Sequence, residues 1–318
     1  MKYQVKHKAA LLSYLFEIFP DTSRTGVKEM LSTGRIAVNG ARTKAFNLEL
    51  NPGDTVELLT KGASIGASMK DNASDKVKKQ GVDILFEDEH IMVVLKAPGL
   101  STSAPTKDGK HIPANVCGIL NEYVRTTRRA GIKAGTGDWK APKRVYTLNR
   151  LDPNASGLLL IAKDERTRDI IMSRWDNIVL ENRLTALLEG HVEEDHGSIT
   201  TWISEDEKTG RVFSGTEEKD GGLKAITRWS VISRGRKHTL VEFEPETSRR
   251  HQLRIHAAID MGHPIVGDTR YGSTLAFRGR LALHGGILVF RNPYSNDIQR
   301  FRIPAPAEML KDSAKKDE

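Results

Sequence analysis

Residues 145–164 read VYTLNRLDPNASGLLLIAKD. Ahead of the apolar run LLLIA stands a single carboxylate, Asp152, with Arg150 two residues before it and Pro153 after it. Asp-Pro followed by Asn154, Ala155, Ser156 and Gly157 is turn chemistry, because these residues pre-set or tolerate a bent backbone. LLLIA is short, apolar and bounded by turn signals, and reads as a buried strand. Asp152 therefore sits on a loop pinned to a buried strand, a rigid mount of the kind on which sites are built. The alternative is that its carboxylate only caps the turn.

Outward from that loop, strand and turn signals dominate from residue 82 to about residue 306. DILFEDEHIMVVLKAPG, residues 83–99, reads as strand, acidic turn and strand, stopped at Pro98-Gly99. TALLEG, SITTWIS, AITRWSVI, HTLVEFEP and ILVF supply further strands, and helices are expected over 112–124 and 164–180. The class is α+β, with a largely antiparallel or mixed sheet. Alternation in HQLRIHAA, residues 251–258, predicts one more strand. It would turn His251, Leu253 and Ile255 one way and Gln252, Arg254 and His256 the other. An arginine there beside a half-buried acid would hold the acid ionised, and its planar fork would fix the orientation. The plainer reading is a surface salt bridge of little energetic worth.

The first 60 residues make a separate pattern. Ala9, Leu12, Leu15, Phe16 and Phe19 keep helical spacing up to Pro20. A second helix is capped from Asp21, Thr22 or Ser23, buries Val27, Met30 and Leu31, and stops at Gly34. RIAVNG with an Asn39-Gly40 turn, and then GDTVELL, supply short strands. KGASIGASMKDNASDKVKKQG has no apolar period and predicts a mobile linker. The expected division is a small domain over 1–60, a linker over 61–81, a larger domain over 82–310 and a charged, frayed tail over 311–318.

The 318 residues carry a net charge of +8, which favours polyanionic partners, nucleic acid first. Residues 125–150 hold eight lysines and arginines against one acid, Asp138. Arg128 and Arg129 there are candidates for phosphate contact, a solvated insertion being the other reading. Arg24, Lys28 and Arg35 in the first domain are stronger candidates for docking RNA, against an ordinary charged helix face. The single cysteine, Cys117, excludes an intrachain disulfide and fits a reducing cytoplasm. No apolar run approaches the roughly 18 residues of a membrane span, and the N-terminus has no secretory pattern. A cytoplasmic protein without membrane contact is the expectation. The pairs His191/His196 and His251/His256 match no common zinc spacing, and AGTGDWK lacks the ending of a phosphate loop. A glycosidase would want a second carboxylate beside Asp152.

At this point the motifs carry a resemblance. NRLDPNASGLLLIAKD resembles the signature of the RluA-type RNA pseudouridine synthases, and RRHQLRIHAAIDMGHPIVGDTRYG resembles that family's later arginine-bearing motif. ILFEDEHIMVVLKAPGL and LALHGGILVFRNP resemble its opening and closing strands. Within residues 7–60, SRTGVKEMLSTGRIAVNG and NPGDTVEL resemble the small RNA-binding S-four, or alpha-L, domain. The resemblance implies a pseudouridine synthase fold behind an S-four domain, and an isomerase that detaches a uridine base, turns it and rejoins it through carbon. Asp152 would be the essential carboxylate at the sugar side of the glycosidic bond, with Arg254 as its partner. Arg150 would fill the space left by the flipped nucleotide, and His251, Gln252 and Leu184 would line the substrate. No cofactor or metal is implied, because no atoms or electrons enter or leave. The pairing of domains implies ribosomal RNA, of the large subunit, as the partner of a monomer. Unstacking a base costs a few kcal/mol, which phosphate contacts offset.

Two positions depart from the family pattern. Asn149 stands where histidine is usual. Leu184, in ENRLTALLEG, stands where the family has a tyrosine, and a leucine has no hydroxyl to move a proton. A second class of function follows from it: an RNA-binding protein of the same fold with weak or lost catalysis.

Overall fold

The computed structural model describes residues 2–20, 22–32, 35–39, 41–43, 45–46, 48–58, 67–103, 114–133, 144–206, 211–218 and 221–313. The chain divides into two compact units, residues 1–75 with 86–89, and residues 76–85 with 90–318.

The first unit contains β1 (Lys2–Gln4), β2 (Ala9–Ala10), α1 (Leu11–Ile18), α2 (Arg24–Ser32), β3 (Ile36–Val38), β4 (Ala41–Thr43), β5 (Glu49–Leu50) and β6 (Thr55–Leu58). An antiparallel sheet runs β1-β6-β3-β4, and β2 pairs with β5. Ser23 caps α2, its Oγ accepting from the Gly26 amide at 3.1 Å. Asn39 takes a left-handed turn, φ 52°, and its side chain donates to Asp54 and accepts from the Thr55 amide, both at 2.8 Å. Leu11, Leu15, Val27, Leu31, Ile36 and Val56 close the core. Gly34 and Gly40, expected as helix stop and turn, lie outside the described residues.

The expected linker over 61–81 is corrected in its second half. Residues 67–79 form a helix, α3 (Ala67–Lys79), whereas 61–66 lie outside the described residues. Lysine and alanine cost little in a helix, and Lys76, Lys78 and Lys79 in the last turn complement its dipole. Val77 is buried, and Gly81, at φ 88°, ends the helix as only glycine does cheaply.

The second unit is built on an eleven-stranded sheet. Its elements are β7 (Val82–Glu87), β8 (Ile91–Lys96), α4 (Val116–Lys133), β9 (Tyr146–Thr147), β10 (Ser156–Ala162), α5 (Glu165–Ser173), α6 (Trp175–Ile178), β11 (Val179–Glu189), β12 (His196–Glu205), β13 (Val212–Gly215), β14 (Leu223–Arg234), β15 (His238–Pro245), α7 (Gln252–Ile255), β16 (Leu283–Arg291), β17 (Ile298–Arg302) and α8 (Ala307–Ser313). The order is β13-β12-β14-β15-β11-β16-β10-β8-β7, with β9 on β10 and β17 on β16. Among the described residues every strand pairing of this sheet is antiparallel except β10 with β16, which is parallel over only Ser156↔His284 and Gly157↔Gly285. All seven residues of β10 are buried, as the run LLLIA requires. No helix among the described residues is long and apolar enough to cross a membrane.

The backbones of β10 and β16 come close enough that side chains are excluded. Gly157 has φ 141°, and a Cβ there would lie 2.6 Å from the Gly285 Cα. Between Arg183↔Ile287 and Thr185↔His284 the β11–β16 register shifts, so Gly285 and Gly286 together oppose the single Leu184.

The strand expected over 251–258 is corrected. His251 adopts a left-handed conformation, φ 54°, and the chain then forms α7 and a π-helical turn, His256–Asp260. Gln252, Leu253, Arg254 and Ile255 are all buried, so two-sided alternation does not apply. One helical turn puts His251 and Arg254 on the same side, where a strand would have turned them apart.

Candidate active site

Three groups of bonds hold the loop that carries Asp152. Upstream, Asn149 bridges to β10: its Nδ2 donates to Leu158 O at 3.1 Å and its Oδ1 accepts from the Leu160 amide at 2.8 Å. An asparagine at this position thus extends the ladder of β10. Thr102 Oγ1 donates to Leu151 O at 2.8 Å. Beneath the turn, Lys96, fully buried at the end of β8, donates to Pro153 O at 2.9 Å and Ala155 O at 2.6 Å, and also to Ala97 O and Leu100 O. Burial lowers the Lys96 ammonium to about 8, while Asp152 pulls it back up.

Asp152 is left with its side chain 19 % exposed. His251 Nε2 and Arg254 Nη1 each lie 3.7 Å from the same oxygen, Oδ1. These are ion-pair distances, longer than a hydrogen bond. Burial raises the Asp152 carboxyl above the usual range; Arg254 opposes that shift, Asp268 adds to it, and Arg150 and Lys96 oppose it. The expected clamp is therefore corrected. The fork of Arg254 is spent on Asp268, with Nε donating to Oδ2 at 2.6 Å and Nη2 to Oδ1 at 2.7 Å, and only Nη1 is turned to Asp152. Asp268 is 1 % exposed, so this fork is a desolvated, bidentate pair.

A polar network seats α7 behind the arginine. His256 is fully buried, its Nδ1 2.8 Å from Thr227 Oγ1 and its Nε2 3.0 Å from Thr201 Oγ1, and burial lowers it to about 4. Gln252 Nε2 donates to Ile226 O and Thr227 Oγ1, while its Oε1 accepts from Thr247 Oγ1 and the Arg249 amide. That uses both donors and both acceptor sites of the amide. Gln252 is corrected from a substrate contact to a brace. His251 is different. Its Nδ1 lies 2.8 Å from Tyr271 Oη, and burial followed by Arg254 and three further arginines lowers it to about 3, so the ring is neutral. Tyr271 packs its ring 4.9 Å from the Arg254 guanidinium.

Asp152, His251 and Arg254 are thus brought together, and Arg150, exposed, acts on the group by charge. Leu184 is buried in β11, opposite the two glycines of β16. Arg24 and Lys28 are exposed and Arg35 half-buried in the first unit. Arg128 and Arg129 fall in α4, but their side chains lie outside the described residues. Lys96, Asp268 and Tyr271 were not singled out. The one signal for Lys96 is a lysine ending an otherwise apolar strand, IMVVLK.

The sheet, the short parallel pair and the lone acid on its turn define a family that other proteins make explicit. The model of the RNA pseudouridylate synthase family matches residues 90–258. The uncharacterized RNA pseudouridine synthase YlyB of Bacillus subtilis (strain 168) is 30% identical over 294 residues, covering 91% of this chain and 88% of that one. Ribosomal large subunit pseudouridine synthase D of Escherichia coli O157:H7 is 27% identical over 314 residues, covering 93% and 87%. Human RNA Pseudouridylate Synthase Domain Containing 4 shares the fold, with TM-score 0.56 at 19% identity, over 75% of this chain and 94% of that one. The chain belongs to the RNA pseudouridine synthases, of the RluA type. It is an isomerase that converts uridine in RNA.

Proposed function

We propose that the protein forms pseudouridine in large-subunit ribosomal RNA, and that Asp152 acts at the sugar side of the glycosidic bond of an extruded uridine. One observation carries the chemistry: a half-buried carboxylate faces an imidazole and a guanidinium, yet accepts no hydrogen bond from a described residue. Its charge is balanced and its lone pairs remain available to a sugar carbon or a sugar proton. Likeness to ribosomal large subunit pseudouridine synthase D over 93% of the chain supports the substrate. Arg150, exposed and with no carboxylate within 4 Å among the described residues, fills the gap left by the extruded nucleotide. The first unit is the S-four-type domain, and Arg24, Lys28 and Arg35 grip phosphates there. Arg128 and Arg129 add to that grip. The protein works in the cytoplasm as a monomer.

The test uses ribosomal RNA from a strain lacking the protein. Incubation should create a new pseudouridine, mapped chemically, and Asp152→Asn should abolish it with RNA affinity nearly unchanged. Binding without any new pseudouridine refutes the substrate, and turnover by Asp152→Asn refutes the role of the acid.

A further inference from the structure

Arg280 stands beside the turn that carries Asp152, and the chemistry described so far gives it no part. The amide of the next residue, Leu281, donates to Asn154 O at 3.1 Å, which ties the segment 277–281 to that turn. The Arg280 amide closes the segment on Phe277 O at 2.8 Å. Its side chain is held as well. Nη2 donates to the hydroxyl of Ser156, the first residue of β10, at 3.0 Å, and Nε donates to Leu281 O at 3.3 Å. Arg280 is half-buried, with its guanidinium carbon 5.5 Å from the centre of the Phe277 ring.

The bonds behind it run in one direction. A guanidinium only donates, so Ser156 Oγ accepts from Arg280 and gives its own hydrogen to His284 Nδ1, 2.8 Å away. His284 is buried and neutral, since burial lowers it to about 4, and its hydrogen is therefore on Nε2. Arg280 is thus braced by neutral groups alone, whereas Arg254 has Asp268 and Asp152. No carboxylate forms an ion pair with Arg280 among the described residues. Burial works against its charge, and Glu308 opposes that from beyond ion-pair distance while paired with Arg278 at 3.3 Å. The charge of Arg280 also adds to the burial that lowers Lys96, so two cations flank the turn. A rigid, half-buried cation without a counter-ion costs the fold stability, and an aromatic face offsets only part of that. Both N–H groups on Nη1 lack an acceptor among the described residues. A planar fork of this kind suits a phosphate.

We propose that Arg280 binds a backbone phosphate of the extruded uridine, and that Ser156 and His284 are the positioning residues that aim it. The phosphate anchors the nucleotide at the start of β10 while Asp152, on the turn just before, meets its sugar. Holding the nucleotide at a rigid, charged point sets the ribose against the carboxylate before any bond changes. This role for Arg280 rests on the placement of Asp152 proposed above.

Arg280→Met removes the charge and keeps most of the bulk, and Arg280→Lys keeps the charge. RNA from cells lacking the protein is split into ribosomal and transfer fractions, and the fraction that the wild type converts is used. Binding of the full chain is measured as salt is raised. Arg280→Met should lower the slope of log affinity against log salt by about 0.7, the share of one phosphate on a single strand. It should also slow conversion at saturating protein by about 10-fold or more. Its Tm should lie no more than about 3 °C below wild type, because the lost cation had no counter-ion. Arg280→Lys should keep the slope. An unchanged slope in Arg280→Met, or one that Arg280→Lys loses equally, overturns the proposal. So does a larger fall in Tm, the mark of a structural arginine. Conversion at saturation within about threefold of wild type overturns it too, since the phosphate would then belong to RNA outside the target nucleotide. Turnover by Asp152→Asn would refute the role of the acid, and conversion confined to the transfer-RNA fraction would refute the ribosomal substrate. In either case the slope of Arg280→Met still decides the phosphate contact.

Discussion

Asp268→Asn isolates what the buried fork does. In the native site Asp268 takes two charge-assisted hydrogen bonds from Arg254, at 2.6 and 2.7 Å, and is itself almost wholly buried. An asparagine of the same shape keeps one acceptor oxygen and turns an NH₂ group against a second N–H donor. Arg254 then stays charged and buried with Asp152, 3.7 Å away, as its remaining counter-ion. Breaking one partner of a buried pair costs about 3–5 kcal/mol. For a domain of this size each kcal/mol lowers Tm by about 2–4 °C, so a fall of about 6–20 °C is expected in a calorimetric or circular-dichroism melt. The catalytic consequence has the opposite sense. The charge of Asp268 helps to raise the Asp152 carboxyl, and Arg254 lowers it. Removing the first and freeing the second must lower the Asp152 pKa. If ionised Asp152 is the working form, the acid limb of the pH–rate profile for pseudouridine formation shifts to lower pH, while the protein melts earlier. A variant that melts within 2 °C of wild type, or whose acid limb moves to higher pH, refutes this account of the site.

Lys96→Met should take the ammonium donor from the carbonyls of Ala155 and Leu100, leave Pro153 O with the Gly99 amide alone, and destabilise by about 2–4 kcal/mol. Amide exchange at Ala155 should quicken; unchanged exchange would show that the turn holds itself. Gly157→Ala should cost more than about 3 kcal/mol, because the added methyl meets Gly285 backbone and its φ is unfavourable; near-native denaturant midpoints would contradict the close approach of β10 and β16. His256 and His284 are lowered to about 4 by burial, so they bind protons only in the unfolded chain between about pH 6.5 and 4. Their contribution is full above pH 6.5 and is lost as pH falls toward 4. Stability should drop by on the order of 2 kcal/mol per histidine at pH 5, and a flat profile in denaturant melts from pH 7 to 5 would refute neutral burial.

What the sequence shows plainly is where local chemistry and burial agree. The run 158–162 is apolar without interruption and becomes β10, buried throughout. Ser23 caps and Asn39 turns as their side chains dictate. The segment from His251 fails for a specific reason: HQLRIH satisfies a two-residue period as well as one turn of helix, and the left-handed φ of His251 that decides between them leaves no mark in composition. The same ambiguity hid the relation of His251 to Arg254. Lys96 and Asp268 were missed because each is a charged residue that is buried, against the usual preference. Each is tolerated with the help of partners that lie elsewhere in the sequence, at 153–155 and at 254. The helix over 67–79 was missed because its residues show no apolar stripe, and helix-forming polar residues look like linker when only hydrophobic period is followed.

The place of β16 in the sheet sets a timetable for synthesis. In the sheet order β7, β8 and β10 lie on one side of it and β11 through β15 on the other, yet β16 is among the last strands to leave the ribosome. Until it is made, the strand following Asp152 and the half of the sheet preceding His251 and Arg254 lack the strand that joins them, and closing so long a loop is slow. A nascent or C-terminally truncated chain can thus hold folded pieces while its acid and its arginine remain strangers. A chain cut short ahead of β16 should therefore form no pseudouridine, although Asp152 and Arg254 are both present in it.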